Sequence, residues 1–262
     1  PSQLGVDEET FQSFEAAALK VRKAFLERER CYNIKIETTE YYESNDVIEK
    51  LLKIVYEHTG NPKEGDTLYM CSQVADYSCG YEVVNGKYKY SIDISSSCYT
   101  TLEQEKELDN AVDELLDQLS LEGKTKREKI ASIYDYVCQN VRYAYVDTTE
   151  DILPFTAFGA LINKYATCQG YALLIYRLAL EVGVDVRYIR GTALGGAHAW
   201  NIVQLDDDLY YNLDATWDEG NGEYRWFLCS EEDFTDHMRN PEYLTVEFKK
   251  QYPMYHTSTT IS

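Results

Sequence analysis

The spacing of apolar residues divides the chain into helical and strand-like segments. Apolar positions that recur every three or four residues predict helices, and the alternation of apolar and polar residues predicts strands. Helical spacing covers residues 10–29, 46–58, 101–119, 125–141, 156–163 and 168–182, and a last short helix is predicted from Ser230. Strand-like alternation covers residues 32–38, 184–190, 197–205 and 209–213, and the segment 68–97 is dense in Tyr, Val and Ile.

Short motifs support several of these boundaries. Asn85-Gly86 separates two apolar runs and predicts a tight hairpin. Thr125 and Glu128 have the spacing of a capping box, which marks the start of a helix. Gly183 follows an apolar segment directly and is typical of a helix end. The chain therefore contains helices and strands in mixed order.

The length of 262 residues allows one large domain or two small ones. We place a boundary near residue 122, after a charged helix that Gly123 ends. Residues 1–121 then form an N-terminal region of helices and strands without a chemical motif. This region is expected to shape a cleft or to recognise a partner. Residues 122–262 form a second domain, which carries the chemical motifs described below.

The charge and hydropathy of the chain argue against a nucleic-acid partner and against a membrane-spanning segment. Forty-five acidic residues against 25 basic residues give a net charge of −20, and a surface of this sign repels nucleic-acid phosphates. No apolar run reaches the roughly 18 residues that a membrane span needs. The chain begins at Pro1 rather than at a methionine, as expected of a mature or trimmed form.

The cysteine pattern excludes several common sites. An odd number of cysteines, spread over a long chain, is not typical of a disulfide framework. No C-x-x-C is present, which argues against a zinc ribbon or a thioredoxin motif. The absence of a Walker loop and of G-x-G-x-x-G gives no support to nucleotide chemistry. The seven cysteines are Cys31, Cys71, Cys79, Cys98, Cys138, Cys168 and Cys229.

Cys168 stands at the start of the apolar helix predicted over residues 168–182. The first turn of a helix offers unpaired N–H groups and a partial positive charge, both of which favour a thiolate. Gly170, two residues later, leaves room for another segment of chain close to the sulfur. Cys168 is therefore a candidate nucleophile, although a lone cysteine before a helix is more often a small buried residue.

His198 and Asp214 belong to two consecutive predicted strands that the polar turn Asp206-Asp207-Asp208 connects. A three-residue turn pairs His198 with Thr216 and makes Asp214 its diagonal neighbour. A one-residue turn places Asp214 directly opposite His198. In both registers the two side chains share one face of the sheet, so the carboxylate can fix the histidine tautomer and stabilise its imidazolium.

Three motifs in this order resemble the transglutaminase-like superfamily, particularly its bacterial members. They are Thr167-Cys168-Gln169-Gly170-Tyr171-Ala172, His198-Ala199-Trp200-Asn201 and Leu213-Asp214-Ala215-Thr216-Trp217-Asp218. The resemblance covers roughly residues 125–235 and implies an α+β, papain-like core, in which a helix that bears the nucleophile packs on an antiparallel sheet. It also implies that Cys168 is the nucleophile, His198 the general base and acid, and Asp214 the orienting residue.

The resemblance implies a cysteine-dependent enzyme that transfers acyl groups from peptide or carboxamide bonds through a thioester. Water and an amine both stay open as acceptors, so a protease, an amidase and a transglutaminase all fit, with hydrolysis preferred. The alternative is a catalytically inactive surface or secreted binding module on the same fold. By analogy with bacterial members, the expected partner is a protein or peptide. The expected location is extracellular or at the cell surface, and a cytoplasmic location stays open.

No cofactor is expected, and no metal is expected to be required, because no further Cys, His or carboxylate stands at ligand spacing beside the three residues. The Cys168 N–H is the nominated oxyanion donor.

The sequence also suggests roles for several neighbouring residues. Tyr143, Tyr145 and Tyr165 are possible side-chain donors, although core packing is preferred for each. Trp200 is expected to wall the cleft, Trp217 to pack in the core, and Gly191 to make a turn. The three remaining histidines, His58, His237 and His256, are interpreted as surface or structural residues.

Overall fold

The computed structural model describes residues 9–63, 72–146 and 151–257, and for residues 72–75 it describes the backbone only. Cys71 and the first residues of the Tyr-rich segment 68–97 lie outside the described residues. None of the helices in the described ranges combines the length and the apolar character that a membrane crossing needs.

The chain separates into two compact units, the first within Pro1–Thr59 and Lys63–Leu102 and the second within Gly60–Pro62 and Glu103–Ser262. The helix over residues 102–119 thus belongs almost entirely to the second unit. One reason is an ion pair, because Asp109 of this helix contacts the buried guanidinium of Arg177 at 2.7 Å. The boundary near residue 122 stays a prediction.

The first unit packs two helices on one face of a four-stranded sheet. Its elements are β1 Thr10–Phe11, α1 Phe14–Leu26, β2 Cys31–Thr38, α2 Ser44–Val55, β3 Ser72–Val84 and β4 Lys87–Cys98. The sheet has the order β1-β2-β4-β3, with β1 parallel to β2 and the other pairs antiparallel. Asn85-Gly86 connects β3 and β4 with both residues at positive φ, as the predicted hairpin requires.

The core of the first unit follows from the two periodicities in the sequence. Ile34 and Ile36 on β2 and Ile92 and Ile94 on β4 point to the same face, because alternate residues of a strand share a face. The helices cover this face with their apolar stripes, which include the fully buried Val21 of α1. The opposite positions on the strands are polar or charged and lie exposed or half-buried.

The second unit begins with α3 Leu102–Leu119 and α4 Lys126–Asn140 and continues with short elements around the central helix α6. Thr125 and Glu128 form the predicted capping box of α4. The remaining elements are β5 Arg142–Tyr143, α5 Ala157–Leu161, β6 Tyr165–Ala166, α6 Cys168–Glu181, β7 Val186–Ala193, β8 Gly196–Gln204, β9 Tyr210–Leu213, β10 His237–Arg239 and α7 Val246–Gln251, with 3-10 turns at Leu153–Phe155 and Pro241–Tyr243.

The arrangement of α6 and the second sheet confirms the expected α+β core. The sheet is antiparallel with the order β10-β7-β8-β9, and α6 packs on β7 and β8. Residues 170–179 of α6 are buried on all sides, which explains why this helix is almost wholly apolar. A helix that begins at Cys168 therefore lies against the strand that carries His198.

The short helix predicted from Ser230 is wrong. The Asp233 N–H donates to Ser230 Oγ, as it would in a helix cap, but only turns follow before β10 begins at His237. Phe234, the one apolar residue in this turn, is buried in a cluster with Trp200 and Trp226. A helix would need several apolar residues along one face to pack against the core, and this segment has only Phe234. The segment is therefore anchored by one aromatic side chain and does not form a helix.

Candidate active site

Cys168 is the first residue of α6, and Thr167 precedes it in an extended conformation. Its side chain is half-buried and lines an open cleft. An ideal Cβ on Gly170 would lie 2.4 Å from the Pro154 carbonyl oxygen and 3.0 Å from that of Thr156. The expected role of Gly170 is thereby confirmed, because a residue with a side chain would push this neighbouring segment away from the start of α6.

The register of β8 and β9 brings His198 and Asp214 to one face of the sheet. Asn201 pairs with Leu213 and Gln204 with Tyr210, which is the register of the three-residue turn. The Leu205 N–H donates to the Leu209 carbonyl and closes that turn around residues 206–208. His198 and Asp214 have the relative positions that this register predicts, and His198 Nε2 lies 2.7 Å from Asp214 Oδ2.

The three predicted residues meet in a chain of hydrogen bonds. His198 is bonded to Asp214 through Nε2 and also interacts with Cys168, for which Nδ1 is the remaining ring nitrogen. Burial opposes a charge on His198, but the hydrogen bonds to Asp214 and Cys168 outweigh it and raise the pKa of His198 to about 9. The imidazolium is therefore stabilised between an acid and a thiol.

Asp214 is completely buried and has three donors. The Thr216 N–H donates to Oδ1 at 3.0 Å, and the Nε2 atoms of His198 and His237 lie 2.7 and 3.1 Å from Oδ2. Burial disfavours the carboxylate, but the two histidines hold the pKa of Asp214 below its ordinary value. Asp214 is thus kept as an acceptor for both imidazoles.

The interpretation of His237 as a surface or structural residue misses this contact. Its side chain is fully buried at the start of β10, which pairs with β7. His256, by contrast, is exposed and bonds Glu232 on the surface, as expected. A three-residue strand carries no usable periodicity, and only its pairing with β7 brings His237 to Asp214. No local signal in the sequence could have identified it.

His198, Asp214 and His237 form a cluster whose ligand-type atoms all lie within 4.8 Å of one another. The premise that no further histidine stands near the three predicted residues is therefore wrong. The 2.7 and 3.1 Å separations between nitrogen and oxygen are those of hydrogen bonds. We assign the group as hydrogen-bonded side chains, and the independence from metal stays a prediction.

Asp218 fixes the turn that follows Asp214. It is buried, and it accepts hydrogen bonds from the Tyr134 hydroxyl at 2.7 Å, the Trp226 N–H at 2.8 Å and the Arg225 N–H at 3.0 Å. The Trp226 carbonyl in turn accepts the N–H of Asp214 at 3.0 Å. The last aspartate of the third motif therefore holds the backbone of the candidate orienting residue.

The expectations for Trp200 and Gly191 need correction. Trp200 is fully buried in the core rather than at the cleft wall. Trp217 packs against the core cluster, as expected, and is half-buried with its ring centroid 5.4 Å from that of His198. Gly191 lies within β7 rather than in a turn. An ideal Cβ there would lie 2.0 Å from the Met238 carbonyl oxygen, so the glycine permits the close approach of β10.

The cleft beside Cys168 has a volume of about 630 Å³. Tyr143 and Tyr145 form one wall, and Tyr145 is 85% exposed, so core packing is wrong for this tyrosine and for the exposed Tyr165. Burial and the nearby Cys168 raise the pKa of Tyr143, which keeps its hydroxyl protonated as a donor. Among the described residues that line the cleft, Arg190 and His198 are the charged or titratable basic groups, and none is a carboxylate.

Comparison with known proteins finds a similarity to one superfamily within the second unit. A model of the transglutaminase-like superfamily matches residues 113–215, a segment that contains all three candidate residues. The kyphoscoliosis peptidase of Homo sapiens is 27% identical over 124 residues, which are 42% of this chain and 19% of that protein. The chain therefore spans about a fifth of the length of this relative.

Solved structures with a similar chain path include a TGase, with 18% sequence identity and a TM-score of 0.39, covering 78% of this chain and 56% of that chain. Another is the periplasmic domain of TgpA from Pseudomonas aeruginosa bound to ethylmercury. It has 14% sequence identity and a TM-score of 0.32, and the match covers 56% of this chain and 66% of that chain.

Proposed function

We propose that the chain is a cysteine-dependent enzyme acting on peptide or carboxamide bonds, because a model of the transglutaminase-like superfamily matches residues 113–215. The observation that carries this proposal is the sequence of contacts from Cys168 to His198 to Asp214 beside an open cleft. A nucleophile, a base and an orienting acid in hydrogen-bonding sequence are the requirements for covalent catalysis by a thiol.

The reaction begins with the thiolate of Cys168 and the imidazolium of His198. The sulfur attacks the carbonyl carbon, a C–S bond forms, and the π electrons move to the carbonyl oxygen. When this intermediate collapses, the C–N bond breaks and the leaving amine takes a proton from His198. The product is an acyl-thioester and a neutral imidazole.

The second half of the reaction reverses the roles of His198. The neutral imidazole takes a proton from water or from an amine as that nucleophile attacks the thioester. Collapse of the second intermediate breaks the C–S bond and restores the thiolate and the imidazolium. Asp214 holds the ring and stabilises its positive charge throughout, without taking up the proton itself.

The oxyanion of both intermediates needs donors beside the sulfur. The Cys168 N–H at the start of α6 is the first, because this group has no partner within the first turn of a helix. Tyr143 is the second candidate, since its hydroxyl stays protonated and it lines the same cleft as Cys168. Tyr145, which is exposed at the rim, is better placed to contact the substrate.

Hydrolysis of a peptide is the preferred reaction. Although the chain has a net charge of −20, none of the described residues that line the cleft is a carboxylate, and Arg190 is among them. The cleft therefore suits a neutral or acidic segment next to the scissile bond. The name of the relative describes a peptidase, which is consistent with water as the acceptor. A protein or peptide substrate outside a bacterial cell, or at its surface, belongs to the same proposal.

Mass spectrometry after incubation with a mixture of peptides and a primary amine tests the proposal. Cleavage of a peptide would indicate a protease. Conversion of glutamine to glutamate would indicate an amidase, and incorporation of the amine would indicate a transglutaminase. Cys168→Ala should abolish every product. Cys229→Ala is the matched control, because it removes a half-buried thiol of the same unit outside the cleft.

The alternative, a binding module on the same fold, predicts a different result. No product should then form from any peptide, and Cys168 should react with alkylating agents no faster than Cys229. A binding module would not need the contacts that link Cys168 to His198 and His198 to Asp214. These contacts are the reason for preferring the enzyme.

A further inference from the structure

His237 contacts the same carboxylate oxygen as His198. Its Nε2 atom lies 3.1 Å from Asp214 Oδ2, against 2.7 Å for His198 Nε2. Both His237 and Asp214 are buried, with side-chain exposures of 0% and 1%. The contact is therefore shielded from solvent, and Asp214 stands between two imidazoles.

The surroundings of His237 fix its tautomer. Its Nδ1 atom is buried and has no hydrogen-bond partner among the described residues. A proton on Nδ1 would be an unsatisfied donor in the interior, which is costly. Since a carboxylate can only accept hydrogen bonds, the neutral ring with its proton on Nε2 satisfies Asp214 and leaves the lone pair on Nδ1.

Aromatic rings hold His237 in this orientation. The ring stacks on Phe234 with a centroid separation of 3.8 Å, and the rings of Trp217, Trp200 and Trp226 surround it at 4.5, 5.0 and 5.3 Å. Such packing leaves the imidazole little freedom to turn away. A donor is therefore held against Asp214 whether or not a substrate is bound.

We propose that His237 is a positioning residue, whose Nε2–H keeps Asp214 ionised and correctly oriented toward His198. The inference rests on the proposed function, because it assigns His237 a role in activating Cys168. The His237 side chain is buried, and it is not among the described residues that line the cleft beside Cys168. Its effect passes through Asp214 to His198.

Other titratable groups near Asp214 do not replace this donor. Among the described residues, Asp214 influences the titration of three further groups. Burial raises the pKa of each, so all three are uncharged at acidic and neutral pH. Tyr134 donates its hydroxyl proton to Asp218 rather than to Asp214, and the Cys138 thiol is directed to the Ala215 carbonyl. The three groups are Tyr134 and Cys138 on α4 and Tyr143 on β5.

The test compares His237→Phe with His237→Gln. Phenylalanine keeps a ring among the aromatic neighbours but has no donor, whereas the glutamine amide nitrogen can reach the position of Nε2. The readout is the rate at which iodoacetamide alkylates Cys168 between pH 3 and pH 8. Without the donor, Asp214 takes up a proton at higher pH and the imidazolium of His198 loses its counter-charge.

The acid limb of the profile is the pH range in which the alkylation rate of Cys168 falls on acidification. In His237→Phe this limb should lie at a pH higher by about one unit, the size expected for one hydrogen bond to a charged group. It should return toward the wild-type position in His237→Gln. An unshifted limb in a folded His237→Phe variant overturns the inference, even if its melting temperature falls. A wild-type protein without rapid alkylation of Cys168 refutes the proposed function instead.

If His237→Phe fails to fold, His237→Asn takes its place. The asparagine amide is too short to reach Asp214 from the backbone of β10, so its acid limb should also move upward relative to that of His237→Gln. Coincident profiles for the asparagine and glutamine variants would overturn the inference.

Discussion

Gly191 lies on β7 at a position where the backbone of β10 leaves no room for a side chain, and it offers a test of how His237 is placed. Gly191 pairs with Arg239, two residues beyond His237, within an antiparallel ladder. Gly191→Ala would add a Cβ that lies 2.0 Å from the Met238 carbonyl oxygen and 2.7 Å from the Trp200 ring. The substitution therefore presses on the backbone of β10 and on the core beneath it.

The size of the effect follows from these distances. Ordinary contacts of a Cβ begin at 3.4 Å, so the Met238 carbonyl would have to retreat by roughly 1.4 Å. A shift of this size at β10 would break a 3.1 Å hydrogen bond such as the one between His237 and Asp214. Overpacking of this kind costs about 1–3 kcal/mol of unfolding free energy, and we expect Gly191→Ala to lose that amount.

Denaturant unfolding of Gly191→Ala measures the loss, and Gly196→Ala is the matched control. Gly196 lies at the start of the neighbouring strand β8, and a Cβ there would have its nearest neighbour, the Ala193 carbonyl oxygen, at 3.8 Å. The control should keep the stability of the wild type within about 0.5 kcal/mol. Equal unfolding free energies for the two variants would refute the close approach of β10 at Gly191.

Three further predictions concern the candidate catalytic residues. Cys168→Ala should remove turnover and keep the melting temperature. Leu174→Ala, in the buried middle of α6, should instead cost about 2–5 kcal/mol of unfolding free energy. Equal losses of unfolding free energy in the two variants would show that Cys168 is a core residue. Asp214→Asn should retain more turnover than His198→Ala, because an amide can still hold the ring, and the reverse order in initial rates would contradict this role. The pKa of His198 is raised to about 9, so its imidazolium stays protonated below that pH. We therefore expect kcat/KM to fall as the pH rises through about 9. A pH profile without this fall would exclude His198 as the proton donor.

Local patterns in the sequence predict most of the second unit because its central elements are long and regular. Helix α6 begins at Cys168, as its apolar run indicates, and the three-residue turn between β8 and β9 sets the register that unites His198 with Asp214. The alternation of side chains along two adjacent strands is enough for this inference. A turn with an odd number of residues keeps His198 and Asp214 on one face of the sheet.

Contacts between distant short segments could not be predicted in the same way. β10 has three residues and pairs with β7, so His237 reaches Asp214 only after a sheet has formed from strands far apart in the chain. The same limit applies to β1 in the first unit, where two residues pair with β2. Stability of such strands comes from pairing and burial rather than from their own composition.

Competitive alkylation of the seven cysteines at neutral pH tests the central claim most directly. Wild-type protein and His198→Ala are treated with limiting iodoacetamide, and the modified peptides are quantified by mass spectrometry. An activated nucleophile predicts that Cys168 is labelled much faster than the other cysteines and that this advantage disappears in His198→Ala. Uniform slow labelling of the wild type, or an unchanged rate at Cys168 in His198→Ala, would contradict the assignment of Cys168 and His198 as nucleophile and base.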